Sequence, residues 1–446
     1  MAASVRCQGS HINLPRTADV GAETVGVRKE HTNLSPTGVL PTGVSNTADA
    51  VVVGGGTVGA WCAHFLRQAG LTRVVLLEKG VLGQGASSRA AGVVRLQGGT
   101  PEAVRLGRWS RDFYLRQRDE LDVDSGFVTQ GYLLPCFTEA EVSAAKERMA
   151  MQVSLGVAVR WLDSAEVDAA NPTLAPGQTM GGTFCDEDGY ITPPRNVTAY
   201  TIALARGGVT VAERVSFLGL EVAGGRVTGV STSHGHIATT LVVLTGGPKL
   251  AEVGRLAGIR IPAGGARHQV AVTEQHPDLA PARVPMVFDL PAGLYWRPEE
   301  GGLLFGMSNP DEPPGENRSV DTGYLAAMRD RLARLVPVTA GLGLRRVWAA
   351  TIDFTPDHLP IIGPGVGPAG PIDGVTVASA GGAGMMWGPA VSRAAADVAL
   401  TGSTTVVDTS RLGLDRFDEA GHSKLAADPV ALPFPHLPVS QEKSQP

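Results

Sequence analysis

Ala50-Val51-Val52-Val53-Gly54-Gly55-Gly56-Thr57-Val58-Gly59 decides how this chain is read. Ala50 to Val53 is a short, β-branched, buried strand, and the glycines that follow make a turn. A helix runs from about Val58 to Gln68 and is closed by Gly70. Val74 to Glu78 is a second apolar strand. Strand, turn, helix and strand make a βαβ unit, which commits this part of the chain to a parallel sheet. Each spaced glycine has a separate job. Gly54 makes the tight turn, Gly56 lets a pyrophosphate approach a backbone without a Cβ, and Gly59 lets the helix pack close to the sheet. The helix N-terminus offers free N–H groups and a positive dipole end to phosphates. Glu78 ends the second strand, where a carboxylate accepts from both hydroxyls of an adenosine ribose and repels a 2′-phosphate. The stretch predicts a dinucleotide site formed by Gly54, Gly56, Thr57, Val58, Gly59 and Glu78, with Lys79 beside it. It leaves FAD and NAD open.

Outward from this unit the same pattern returns. Val209 to Val211, Leu241 to Leu244 and Val375 to Ser379 read as strands, and about Ala390 to Leu400 as a helix. Between them, Gln269 to Thr273, Gly293 to Trp296 and Leu303 to Met307 are short strands separated by turns, the signature of an antiparallel sheet. The fold class is α/β (α+β overall), a Rossmann-like dinucleotide domain with a second, antiparallel-sheet substrate domain. The first takes residues 49–110, 188–252 and 345–416; the second takes 111–187 and 253–344. Residues 1–48 lack Phe, Trp and Tyr and are expected to be a disordered extension. Residues 417–446 form a C-terminal tail, Pro-rich and irregular from Pro429 onward.

A length of 446 residues suits two domains. A formal net charge of −5, without long runs of one sign, gives no electrostatic reason to bind nucleic acid or an anionic membrane. Cys7, Cys62, Cys136 and Cys185 form no CxxC pair and no Cys/His cluster. That argues against a metal site or a disulfide and for a reducing compartment, the cytoplasm. The longest uncharged stretch, Gly374 to Ser392, is broken by glycines and Pro389, so it reads as strand, glycine loop and helix rather than an integral membrane segment.

Four further segments resemble the D-amino-acid oxidase superfamily of flavoproteins, most of all its sarcosine oxidase and dimethylglycine dehydrogenase branch. Gly85-Ala86-Ser87-Ser88-Arg89-Ala90-Ala91-Gly92-Val93-Val94-Arg95 is similar to the family loop that runs beneath the flavin. Asp188-Gly189-Tyr190-Ile191-Thr192-Pro193 is similar to the entry into its second FAD segment, and Thr355 to Gly363 to its Thr-Pro-Asp-x-x-Pro-x-x-Gly stretch. Gly381-Gly382-Ala383-Gly384-Met385 is similar to its last glycine loop. The resemblance implies FAD, with Ser87, Ser88, Arg89, Ala91, Gly92, Val215, Gly246, Gly382, Ala383, Gly384, Met385 and Met386 added to the cofactor set.

Flavin chemistry asks the protein mainly for orientation, electrostatics and exclusion of water. An amino-acid substrate needs a fixed arginine to grip its carboxylate. Arg95 aligns with the substrate arginine of the resembling branch, or else faces FAD or the surface. Arg297 is a second candidate, with Tyr295, Trp296 and Met386 as pocket residues. Arg345 and Arg346 either line the site or pair with carboxylates. His268 and His358 are acid–base candidates, more safely read as structural. The branch's oxygen-activating lysine aligns with Leu304, its FAD-linking cysteine with Ala349, and its FAD-linking histidine has no counterpart in Gly85 to Ala91. These departures imply noncovalent FAD. The expected reaction is oxidation of the C–N bond of an amino acid or secondary amine to an imine, with oxygen or an electron carrier as acceptor. Alternatives are one subunit of a hetero-oligomeric dehydrogenase with a partner subunit, a biosynthetic tailoring flavoenzyme, and an NAD-binding protein without flavin.

Overall fold

The computed structural model describes residues 40, 43–280 and 284–437. The opening strand forms at Ala50–Val53, fully buried, and pairs in parallel with Val74–Glu78 on one side and Val242–Thr245 on the other. The sheet has nine strands. Its main path runs Phe217–Ala223, Arg226–Thr232, Gly370–Ser379, Val242–Thr245, Ala50–Val53, Val74–Glu78 and Thr210–Glu213. Gly235–Ala238 and Ile361–Gly367 attach beside this path. One face is covered by the helices Thr57–Gln68, Pro101–Leu121, Pro193–Gly207 and Gly388–Thr401, around a core that includes Trp61, Leu66, Phe113 and Tyr200. The other face is closed by the antiparallel strands 217–238 and the helix Leu250–Leu256.

The second sheet has eight strands, in the order Leu344–Phe354, Gly264–Thr273, Gly302–Met307, Leu294–Glu299, Met286–Asp289, Tyr132–Cys136, Gly181–Cys185 and Val159–Leu162. Every pairing is antiparallel except Met286–Asp289 with Tyr132–Cys136. Strand periodicity sorts its central side chains into two clusters. Trp296, Phe305, Leu303 and Val287 point one way, towards the helix Thr322–Leu335. Tyr295, Phe288, Leu304, Val270 and Val272 point the other way, together with Ala91, Val93 and Tyr190. A small third sheet joins Val93–Val94, Gly189–Tyr190 and Val128–Thr129. The two large sheets belong to one compact unit by their contacts.

Several boundaries differ from the sequence reading. The helix Pro101–Leu121 runs through position 110 and buries Phe113 and Tyr114 with the dinucleotide core, so no boundary falls there. Residues 345–354 pair with Gly264–Thr273 and belong to the second sheet. The extension expected through residue 48 is ordered sooner. Asn46 O accepts from Ala238 N at 2.8 Å, Ala48 N donates to Ala238 O at 2.9 Å, and Leu40 and Val44 pack on the core. Residues 1–39, 41 and 42 lie outside the described residues, as do 438–446 of the tail. Residues 417–437 hold only a single β-bridge and are otherwise without regular strand or helix beyond it, as their composition predicts. Yet Val430, Asp428 and Phe434 are buried, because the segment returns across the second sheet. The stretch Gly374 to Ser392 forms strand, glycine loop and helix, and no helix among the described residues is long and apolar enough to cross a membrane.

Candidate active site

The glycine turn is built by contacts that leave no room for side chains. Gly54 has φ +106° and donates to Leu77 O at 2.8 Å. A Cβ on Gly59 would lie 1.9 Å from Gly54 O, which is backbone and cannot yield. One on Gly56 would lie 3.2 Å from Ser87 Oγ. That hydroxyl accepts from Thr57 N at 2.9 Å and lies 3.1 Å from Thr57 Oγ1, fastening the loop after Gly85 to the helix start. Gly56 itself offers no side-chain cap, so beyond the Thr57 amide held by Ser87 the first turn keeps N–H groups open to a phosphate. The Glu78 carboxylate accepts from Gly55 N at 2.8 Å and Gly80 N at 2.7 Å, holding both rims of the turn while staying partly accessible. Lys79 beside it points to solvent, and Val58, next along the helix, is only half-buried.

The later segments converge on the same edge. Val215 N donates to Glu78 O at 3.0 Å. Gly246 follows Thr245, whose hydroxyl donates to Val53 O at 2.6 Å. Ser88 and Ala91 are half-buried. Arg89 turns its guanidinium back to Gln84 O and Gly85 O, and its own carbonyl accepts from Trp348 Nε1 at 2.8 Å. Gly92 has φ +85°, and a Cβ there would meet Ile191 O at 2.2 Å. Gly382 has φ +100°, Ala383 is half-buried, and Gly384 faces open space where a Cβ would point. A helix start with a side-chain-free N-cap, a partly accessible carboxylate at the strand end and an open glycine loop fit FAD.

A second group of polar residues gathers where the small third sheet packs on the second sheet. Arg95 is 6% exposed, packs its guanidinium over the Phe288 ring at 5.3 Å, and donates through Nη2 to Val430 O. Its Nε has no partner among the described residues. Asp188 holds the strand that carries it: Oδ1 accepts from Leu96 N at 2.6 Å and Oδ2 from Gln97 Nε2 at 3.0 Å. Complete burial pushes the Asp188 carboxyl up to about 7, against the pull of those hydrogen bonds and of Arg95. Tyr295 OH lies 2.7 Å from His268 Nε2, whose Nδ1 lies 3.3 Å from Ser308 Oγ. Burial lowers His268 to about 4, so the ring is neutral, and raises Tyr295 above the usual phenol range. Leu304 lies in the same buried cluster as Tyr295 and Val430.

Other sequence-predicted residues fall elsewhere. Trp296 is fully buried on the opposite face, because one step along a strand reverses the side chain. Met385, Met386 and Trp387 pack in the helix-layer core, and Met385 O accepts from Tyr114 OH at 2.8 Å; they are not part of the Tyr295 face. Arg297 is committed. It donates to Ala91 O at 2.8 Å and to Glu299 at 2.6 Å, and stacks on Tyr190 at 4.3 Å. It therefore braces the loop at Ala91 instead of offering a free fork. Arg345 pairs with Glu300, and Arg346 with Glu299 and Glu300. His358 adopts φ +58° beside Phe434. Sequence reasoning missed Asp188 as the support of Arg95, and it missed Asp428 and Val430. The Asp188 signal was present in the Asp-Gly-Tyr turn; the other two sit in a segment whose composition suggested only a tail.

Fold and cradle together define an oxidoreductase of the dinucleotide-binding class. The chain belongs to the DAO family, FAD dependent oxidoreductase, whose family model matches residues 49–398, and this removes the flavin-free reading. It is 28% identical over 394 residues to 4-methylaminobutanoate oxidase (formaldehyde-forming) of Paenarthrobacter nicotinovorans, covering 86% of this chain and 46% of that protein. It is 26% identical over 320 residues to sarcosine oxidase subunit beta of an Arthrobacter species, covering 70% of this chain and 78% of that one. Among solved structures, L-proline dehydrogenase from P. horikoshii has the same fold, with a TM-score of 0.76 at 24% identity over 83% of this chain and 97% of that one. The chain spans less than half the length of the first curated relatives it matches.

Proposed function

We propose that this protein oxidises the C–N bond of an amino acid or secondary amine to an imine, using noncovalently bound FAD. The observation that carries the reading is Arg95, buried against the cluster of Phe288, Tyr295 and Val430 with an unpartnered Nε. When bound, FAD supplies the acceptor for a hydride from the carbon bearing the amine. The chain's own residues do the rest. Gly54, Gly56, Thr57, Val58, Gly59 and Glu78 would hold the dinucleotide, and Ser87, Ser88, Arg89, Ala91, Gly92, Gly382, Ala383 and Gly384 would hold the rest of the FAD. Arg95 grips the carboxylate. Tyr295, fixed by His268, orients the amine end, and the apolar cluster keeps water out. Noncovalent attachment is supported by the cysteines: Cys62, Cys136 and Cys185 are buried in a helix and in far strands of the second sheet, away from the glycine loops. Their free thiols also suit a reducing cytoplasm.

The test is an anaerobic screen of purified holoenzyme against D-, L- and N-methyl amino acids. Bleaching of the flavin band by one class is expected. A yellow protein that bleaches with none of them overturns the amino-acid reading. Leu304 puts an apolar side chain where an oxygen-activating cation would stand, so an electron carrier is the expected acceptor. Stoichiometric peroxide at full turnover would reverse that assignment. Likeness to sarcosine oxidase subunit beta supports a second reading, in which the chain works with a partner subunit. Gel filtration after co-purification separates the two.

A further inference from the structure

The segment after Asp418 carries no motif, yet it reaches the centre of the site. Asp428 N donates to Asp357 O at 3.0 Å, and Ala431 N donates to Asp428 O at 3.1 Å, closing a turn over residues 428–431. Asp428 Oδ1 accepts from Val430 N at 2.9 Å, an Asx-type bond that fixes the peptide after it. The carbonyl of Val430 then meets Arg95 Nη2. The Val430 side chain is fully buried in the cluster of Tyr132, Phe288, Tyr295 and Leu304. Beyond the turn, Phe434 stacks on Phe354 at 5.3 Å and fills the space where a Cβ on Gly382 would go. The segment thus touches both the arginine and the last glycine loop.

We propose that the turn Asp428–Ala431 is a positioning and specificity element of the substrate pocket: the Val430 carbonyl aims the Arg95 fork, and the Val430 side chain limits what fits above Tyr295. This rests on the reading of Arg95 as the carboxylate grip. An arginine ends in a rigid planar fork of five donors, so a fixed acceptor on one edge sets the plane in which the other donors point. Val430 O uses one edge of Nη2 and leaves Nε for a ligand. The Asp428 Oδ2 atom has no partner among the described residues and lies in the field of Arg95 and Arg148. Burial raises its proton affinity, against the pull of those two guanidinium groups. Val430 forms a hydrophobic wall, so the pocket takes a small amino acid better than one with a bulky side chain or long N-substituent.

The experiment uses full-length holoenzyme and benzoate, whose binding is read from the perturbed flavin spectrum, with flavin content and thermal midpoint as controls. Asp428→Ala removes the Asx bond and lets the carbonyl swing. The benzoate dissociation constant is expected to rise about tenfold, with flavin content retained. Asp428→Asn keeps an acceptor for Val430 N, so the turn holds and benzoate binds within about twofold of the wild type. Val430→Ala keeps the carbonyl and is expected to admit a bulkier aromatic carboxylate while leaving benzoate within about twofold. Loss of affinity in both Asp428 variants, or in neither, overturns the positioning role. An unchanged size preference in Val430→Ala overturns the wall. A wild-type enzyme that binds no carboxylate, while bleaching with an uncharged amine, overturns the Arg95 reading and this proposal with it; a wild type that binds benzoate isolates the turn as the part under test.

Discussion

The cradle around Gly54–Gly59 and the polar face around Arg95 are made differently. The cradle is backbone: a glycine at φ +106°, a helix start without a cap, and two amides gathered by one carboxylate. Its parts lie within one short stretch, save Ser87 and Thr245. The Arg95 face is side chain. Its members come from strands at Val93–Val94, Gly264–Thr273 and Leu294–Glu299 and from the turn at 428–431, and each depends on a partner distant in the chain. Backbone sites restrict residue type at fixed spacing, whereas side-chain sites are satisfied by many arrangements.

That contrast is broken or sharpened by substitution. The largest effect is expected in the cradle. Gly59→Ala drives a methyl into Gly54 O, so stability falls by about 3 kcal/mol and flavin is lost on purification. Thermal unfolding and the flavin-to-protein absorbance ratio measure this; a yellow variant with the wild-type midpoint would erase the distinction. Arg95→Lys is expected to leave flavin content unchanged but to weaken carboxylate binding by about 2–5 kcal/mol, since an ammonium cannot fork. Spectral titration reads it. If flavin is lost as well, the two regions are not separable.

Much of the cradle is legible in the sequence because glycine tolerates what other residues do not, and three spaced glycines between two apolar runs have few explanations. The strand positions of Tyr295 and Trp296 were also legible, but not their faces. Nothing in Leu294-Tyr295-Trp296-Arg297 says which side meets the cofactor, since both sides are buried. The register with Phe288 and Gly306 decides it. Asp428 and Val430 were illegible for a further reason: a loop that packs by its carbonyls carries no periodic pattern.

The smallest effect is a pH dependence confined to the side-chain face. Asp188 rises from 3.8 unfolded to about 7 folded, so its contribution is full below about pH 4 and lost as pH rises to 7. His268 falls from 6.5 to about 4, so its contribution is full above about pH 6.5 and lost as pH drops to 4. The two slopes oppose and partly cancel in the wild type. Relative to it, Asp188→Asn should gain stability from pH 4 to 7, and His268→Gln should gain from pH 6.5 down to 4, each by on the order of 2 °C in thermal midpoint. Parallel curves for both variants and the wild type would place these groups in a more solvated setting.

The strand order also bears on how the molecule comes to exist. Val51 lies between Val75, close in the chain, and Val242, far along it; Val242 in turn waits for Val375. The βαβ unit at residues 50–78 therefore carries a naked, β-branched edge until those later strands are made. Such long-range pairing is slow and leaves the nascent chain open to aggregation. Assembly of this protein should depend on chaperone capacity more than its native stability would suggest.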